Sequence, residues 1–214
     1  MNERLDKTNE DNINLEEFMA TYESSSDSRK VVGSGAKVIA LIAISFSLFQ
    51  VFTAMFGSLD SHLQRAVHLS FGLVLVYLLY PTRRKWSRSK LHWFDIVLAM
   101  LAAVMPLYIV IYYQQLVLRA GAITAIDMVV GAIGVVLVLE AARRVVGWPI
   151  VIVAGAFLAY AFAGPSIPGA FAHRGVSLKH LVSHLVFTTE GIFGIPLGVS
   201  STFIFLFILF GAYL

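Results

Sequence analysis

Ala36 to Gly57 reads AKVIALIAISFSLFQVFTAMFG, twenty-two residues whose only charge is Lys37, at the start of the run. Crossing the ~30 Å hydrocarbon layer takes about 20 predominantly apolar residues in a helix, so this stretch is a transmembrane segment. Similar runs follow at about Ala66 to Tyr80, Phe94 to Tyr113, Ile126 to Glu140, Gly147 to Gly164 and Ile195 to Leu214. The second and fourth are short and the sixth carries no charge. The composition agrees. Of 214 residues 58% are hydrophobic and 14% charged, with a mean hydropathy of +0.79, more apolar than a soluble core of this size can hide. The fold expected is therefore an all-α integral membrane protein with about six transmembrane helices.

Charge is distributed by segment. Residues 1–30 hold eight acids and four bases (net −4), and the remainder holds five acids and 12 bases (net +7), giving the overall +3. Cytoplasmic loops retain an excess of Lys and Arg. With the N-terminus inside, twelve bases fall on the cytoplasmic side: Arg4, Lys7, Arg29, Lys30, Lys37, Arg83, Arg84, Lys85, Arg88, Lys90, Arg143 and Arg144. Four fall on the other side: Arg65, Arg119, Arg174 and Lys179. Trp86, Trp93 and Trp148 all sit at the proposed cytoplasmic boundary, where amphipathic rings collect. The basic pI thus reflects membrane-flanking loops rather than a nucleic-acid surface. The polar, acidic start is the opposite of a cleaved signal peptide, so the first apolar run directs insertion. Within it, Leu15 to Tyr22, preceded by Asn12 and Asn14 as N-caps, is either a short amphipathic helix or part of a solvated tail, the latter favoured by composition.

Ser177 to Glu190 (SLKHLVSHLVFTTE) is too polar to span. Leu178, Leu181, Val182, Leu185 and Val186 share one helical face while Lys179, His180, Ser183 and His184 share the other. This predicts an amphipathic helix on the external membrane surface, set off from the fifth span by Pro165, Pro168 and Gly169. His180 and His184 are one turn apart, with His173 nearby, a spacing able to place two imidazoles on one metal. No acid lies beside the first histidine, so the zinc-protease pattern is absent, and polar-face histidines of an interfacial helix are the favoured reading. The chain has no Cys, which excludes disulfides, thiol catalysis and thiolate metal sites. It also lacks a nucleophile elbow and a phosphate-binding Gly-rich loop, so no catalytic, cofactor-binding or metal residue is assigned.

Ionisable residues near the spans are costly and hence informative. Asp95, Asp127 and Glu140 are expected at helix ends, in contact with water or headgroups, and Glu140 is spaced to pair with Arg143 and Arg144 at i,i+3 and i,i+4. His68 is expected within the bilayer, with the interface as the alternative because it is near the outer end of its run. Gly155, Ala159 and Ala163 predict a close-packed seam on the fifth helix. Gly191, Gly194, Pro196 and Gly198 make a continuous regular helix costly there. Either irregular backbone at membrane depth or a surface loop ending just before the sixth helix accounts for them.

The residues TTEGIFGIPLGVSSTFIFLFILFGAYL (Thr188 to Leu214) resemble the start of the large membrane subunit in fused permeases of the TRAP transporter family, TAXI type. The preceding EAARRVVGWPIVIVAGAFLAYAFAG and GAFAHRGVSLKHLVSHLVFTTEG resemble the small-subunit portion and connector of those fusions. The resemblance covers most of the chain after Gly35 and is most specific at Glu140 to Arg144 and Thr188 to Leu214. It implies secondary active uptake into a bacterial or archaeal cell, across the inner membrane. A periplasmic TAXI-type binding protein would deliver a solute, often an organic anion, and sodium or protons would be the coupling ion. It also implies a division into a cytoplasmic acidic tail (1–35), a four-helix small-subunit-like unit (36–145), a fifth helix with an external connector (146–189) and the start of the large transport subunit (190–214). The family's transport sites lie further into the large subunit, and this chain stops inside an apolar run. The expectation is accordingly a scaffold that works with the remainder of that subunit. The competing expectation is a non-transporting membrane-anchoring or assembly subunit that recruits partners.

Overall fold

The helix ends fall where local chemistry can satisfy or release the backbone. The computed structural model describes residues 28, 29, 31–83 and 91–214. Residues 1–27 of the acidic tail, with the Leu15 to Tyr22 segment, Lys30, and the Arg84 to Lys90 stretch with Trp86 lie outside the described residues. Helix α1 spans Ser34–Phe56, α2 Ser61–Leu79, α3 Trp93–Leu118, α4 Ala125–Val145 and α5 Trp148–Ala163. Two short 3-10 turns lead into α6 (Leu178–Val186). The last span begins as α7 (Ile195–Val199), passes through a π-turn at Ser200–Ile204 and continues as α8 (Phe205–Tyr213). No strand occurs among the described residues. Six helices are long and apolar enough to cross a membrane, and the chain is a multi-pass all-α membrane protein.

The spans turn back on themselves through tight connections. Gly57, at φ 107°, ends α1, and Gly147, also at φ 107°, separates α4 from α5; both angles lie in the left-handed region that glycine enters without strain. Thr124 starts α4 with a reciprocal capping box. Its hydroxyl accepts from the Asp127 backbone N–H (3.3 Å), while its own N–H donates to the Asp127 carboxylate (2.7 Å). Pro106 lies inside α3 without ending it, as membrane helices allow when neighbours cover the freed backbone.

The second and fourth spans are longer than their apolar runs. In the added turns Gln64 and Arg65 of α2 and Arg143 and Arg144 of α4 find protein partners for their polar side chains, as described below. Helix α2 is the most buried span, and α5 and the last span are the least. One core cluster joins Leu73, Tyr77 and Leu78 of α2 to Ala99 and Ala102 of α3 and Leu137 and Ala141 of α4. A second joins Ala66, Met105, Ile109 and Leu116 to Val186 and Phe193 of the connector. Lipid tails are as apolar as these side chains, so close packing rather than water exclusion holds the spans together. Small residues provide that closeness on α3 and α4. A Cβ on Gly134 would sit 2.9 Å from Met105, and one on Gly131 would sit 2.5 Å from Val182.

Helix α5 corrects the expected seam. None of its residues is buried, and Gly155 has open space where a Cβ would project. Gly155 and Ala159 are exposed, whereas Ala154, Leu158 and Ala161 are half-buried and line, with Val135, Val138 and Leu139 of α4, an apolar cavity between the two helices. Helix α6 is helical over only part of the predicted segment. Ser177 caps it by accepting from the His180 N–H (3.2 Å), and Val182 and Val186 bury against α4 and the second core. Ser183, assigned to the polar face, is buried, whereas Leu178 is exposed. The cause is the tight seat of α6 on Gly131, which rolls the helix toward α4.

Gly191 and Gly194 lie in a turn just before the last span, and Pro196 occupies its first turn, where no backbone donor is needed. The irregular backbone falls one turn later, at the Ser200–Ile204 π-turn.

Candidate functional site

Three clusters of polar side chains are built into the bundle, one at each end and one between α1, α2 and the last span. At the end carrying the N-termini of α1, α3 and α5, Asp95 is fully buried and receives two arginines. Arg29 Nη2 donates to one carboxylate oxygen, and Arg144 Nη1 donates to the other at 2.8 Å; both guanidiniums are fully buried. Thr82 adds a hydroxyl donor at 2.6 Å. Arg144 extends the network, reaching Glu140 Oε1 (2.9 Å), the Tyr80 carbonyl (2.9 Å) and the Thr82 hydroxyl (2.6 Å), and its guanidinium lies 4.6 Å over the Tyr77 ring. Arg143 clasps Glu140 with two bonds of 2.7 Å and donates to the Thr82 carbonyl. The predicted Glu140 pairs are therefore present, but as one edge of a larger lattice. Arg29 belongs to it too, and its N–H donates to the Leu79 carbonyl at 2.7 Å.

At the other end, Asp127 is fully buried at the start of α4. It accepts from Arg119 (3.0 Å), from the Tyr108 hydroxyl and from the Thr124 N–H and hydroxyl (2.7 and 2.8 Å). Asp95 and Asp127 thus correct the expectation that water or headgroups relieve them. Both sit in the first turn of a helix, where the dipole favours a carboxylate, but it is arginines and hydroxyls that replace the water.

His68 is 9% exposed, buried between α1, α2 and the last span. Its Nδ1 pairs with the Gln50 amide, and its Nε2 lies 3.3 Å from the Ser200 hydroxyl. Gln64, one turn before it on α2, donates to Gln50 Oε1 (3.2 Å), to the Thr53 hydroxyl (3.1 Å) and to the Ser201 carbonyl (3.5 Å). The π-turn supplies part of this lattice, because Ser201 and Thr202 both turn their hydroxyls back to the Gly198 carbonyl. Beside it lies a cavity of about 280 Å³ whose lining includes Gln50, Thr53, Gln64, Ser201 and Thr202. Gln50 and Gln64 were not singled out from the sequence. The available signal was an amide in mid-run at Gln50 and a Gln64/His68 pair at i,i+4.

The three histidines of the connector do not converge. His173 binds the Tyr160 carbonyl (3.0 Å) and accepts from the Gly175 N–H (3.0 Å), folding the connector back onto α5. His184 lies 3.9 Å from Glu190, both exposed, and His180 is exposed. Among the described residues no three His, Asp or Glu side chains are grouped to hold a metal ion. Arg65 donates to the Phe193 carbonyl (2.6 Å), tying the turn before the last span to α2. Chemically these clusters neutralise buried charge and fix helix positions. Comparison with models of known protein families, with curated proteins and with solved structures finds no match for the chain.

Proposed function

We propose that the chain is the scaffold portion of a TRAP-type secondary active permease, in which it holds the transport subunit at a fixed depth in the membrane. The observation that supports this most is where the resemblance and the lattice coincide. Glu140, Arg143 and Arg144, part of the most family-like segment, tie α4 to the end of α2 and, through Asp95, to α3 and Arg29. Such a lattice resists relative motion of the helices it joins, which suits a stator rather than a moving part. In this reading the N-terminus is cytoplasmic, in the inner membrane of a bacterial or archaeal cell. The partners are a periplasmic TAXI-type binding protein and the remainder of the large transport subunit. The complete transporter takes up a solute, an organic anion by family precedent, coupled to sodium or protons, and the chain itself catalyses no reaction.

The alternative is a non-transporting anchoring or assembly subunit. The bare faces of α5 and the last span favour it as surfaces for other proteins. Reconstitution separates the two. Residues 1–214 in sealed vesicles, with the binding protein and an imposed sodium gradient, should accumulate no solute. The complete permease under the same conditions should accumulate it. Uphill uptake by the 214-residue chain alone would place the transport site within it and end the scaffold reading; no uptake by either would favour the anchoring subunit.

A further inference from the structure

At the basic end an open cavity of about 750 Å³ lies between the turn after α2, with Thr82 and Arg83, and the α4–α5 junction, with Arg143, Gly147 and Trp148. Among the described residues its charge is not balanced. Arg29, Arg143 and Arg144 face Asp95 and Glu140, which leaves one positive charge. Arg83 is exposed and meets no carboxylate among the described residues, which makes two. Arg143 uses Nε and Nη2 on Glu140 and the Thr82 carbonyl, and its Nη1 has no protein partner among the described residues.

The rim has a second character. Val145, Val146 and Trp148 are 49%, 68% and 61% exposed, and the Arg143 guanidinium lies 5.6 Å over the Trp148 ring. Trp148 opens the apolar helix α5, so the cavity sits where a lipid-facing surface begins. We propose that this cavity binds the phosphodiester headgroup of an anionic phospholipid. The phosphate oxygens meet the forked donors of Arg83 and Arg143, a match that guanidinium makes better than ammonium. The glycerol and first methylenes lie along Val146 and Trp148. A soluble anion would use the arginines and leave that apolar rim bare.

The test uses the full 214-residue chain in vesicles, with Trp86→Phe and Trp93→Phe leaving Trp148 as the reporter. Quenching of Trp148 by phospholipids with brominated acyl chains measures which lipid occupies the site. Phosphatidylglycerol should be preferred over phosphatidylcholine by about five-fold or more, the effect of one or more basic side chains near an anionic lipid. Arg83→Gln, which removes no hydrogen bond or ion pair among the described residues, should bring the preference down toward parity, and Arg143→Gln should do so with helix content retained. Equal quenching by the two lipids in the unsubstituted site, or a preference unmoved by both substitutions, overturns the proposal. Excess inorganic phosphate should leave the preference intact; if it abolishes the preference, the site serves a soluble phosphate and the lipid assignment falls.

Discussion

Arg144→Lys keeps the charge of the lattice and removes its geometry. In the native arrangement one guanidinium makes four bonds of 2.6 to 2.9 Å, to Glu140, Asp95, the Tyr80 carbonyl and the Thr82 hydroxyl. These acceptors come from α3, α4 and the turn after α2, and the planar fork reaches them because its donors point in fixed, divergent directions. An ammonium has three donors around a single atom and cannot face both carboxylates and the carbonyl together. At least one of the four acceptors then loses its bond, beside an Asp95 carboxylate that is fully buried and a Glu140 carboxylate that is partly exposed. At about 1–3 kcal/mol for a buried group left unsatisfied, the expected loss is roughly 1–3 kcal/mol. Arg143→Lys is the control, since Arg143 is partly exposed and its pair with Glu140 is worth at most about 1 kcal/mol. Reversible unfolding in mixed micelles, followed by helical circular dichroism, gives both values. If Arg144→Lys and Arg143→Lys cost the same, charge alone holds this end of the bundle and the argument from fork geometry is wrong.

Gly131→Ala places a methyl about where Val182 now sits, 2.5 Å away, and should loosen α6 from α4 at a cost of about 1–3 kcal/mol. A cysteine at Ser183, buried in the native protein, should then react faster with a thiol reagent, and an unchanged rate counts against the seat described for α6. Gln64→Leu should cost less, about 1 kcal/mol, because hydrogen bonds between membrane helices are individually weak and Gln50 and His68 remain paired. Unfolding titrations that give several kcal/mol would make this cluster a principal clamp instead. For orientation, Ser58→Cys should react with an impermeant thiol reagent in intact cells and Ser87→Cys should not; the reverse pattern inverts the topology.

Long apolar runs are read directly from sequence because a membrane helix must satisfy its own backbone, and this requirement is local. All six spans were legible for that reason, as was the Glu140 contact with Arg143 and Arg144, which follows from helix periodicity alone. What joins Arg29 to Asp95, or Arg119 and Tyr108 to Asp127, is not periodic. Those partners are set by which helix ends meet, and in isolation a carboxylate near a helix end looks the same whether water or an arginine covers it. The small residues show the same limit. Gly155, Ala159 and Ala163 have the spacing of a seam, yet Gly131 and Gly134 are the ones pressed against Val182 and Met105. Spacing records that a backbone approach is possible, and only the arrangement of neighbours decides which stripe uses it. The roll of α6 that buries Ser183 escapes a helical wheel for the same reason.

The lattice around Asp95 also has a history in time. Its members are separated by about 115 residues of chain, from Arg29 to Arg144, and a ribosome adding ~5–20 residues per second delivers them over roughly 6 to 23 s. During that interval Asp95 has at most Arg29 and Thr82 as company, and Tyr77 lacks the arginine that will lie over its ring. Three inserted helices are therefore an unfinished body whose charged end stays hydrated until the fourth arrives. A nascent chain halted before Arg144 leaves the ribosome should remain open to protease at Thr82, and the same site should close once α4 has emerged. Arg144 is the last member of this lattice to be synthesised, and closure at Thr82 on its emergence is the expected sign that the inserted spans have become one body.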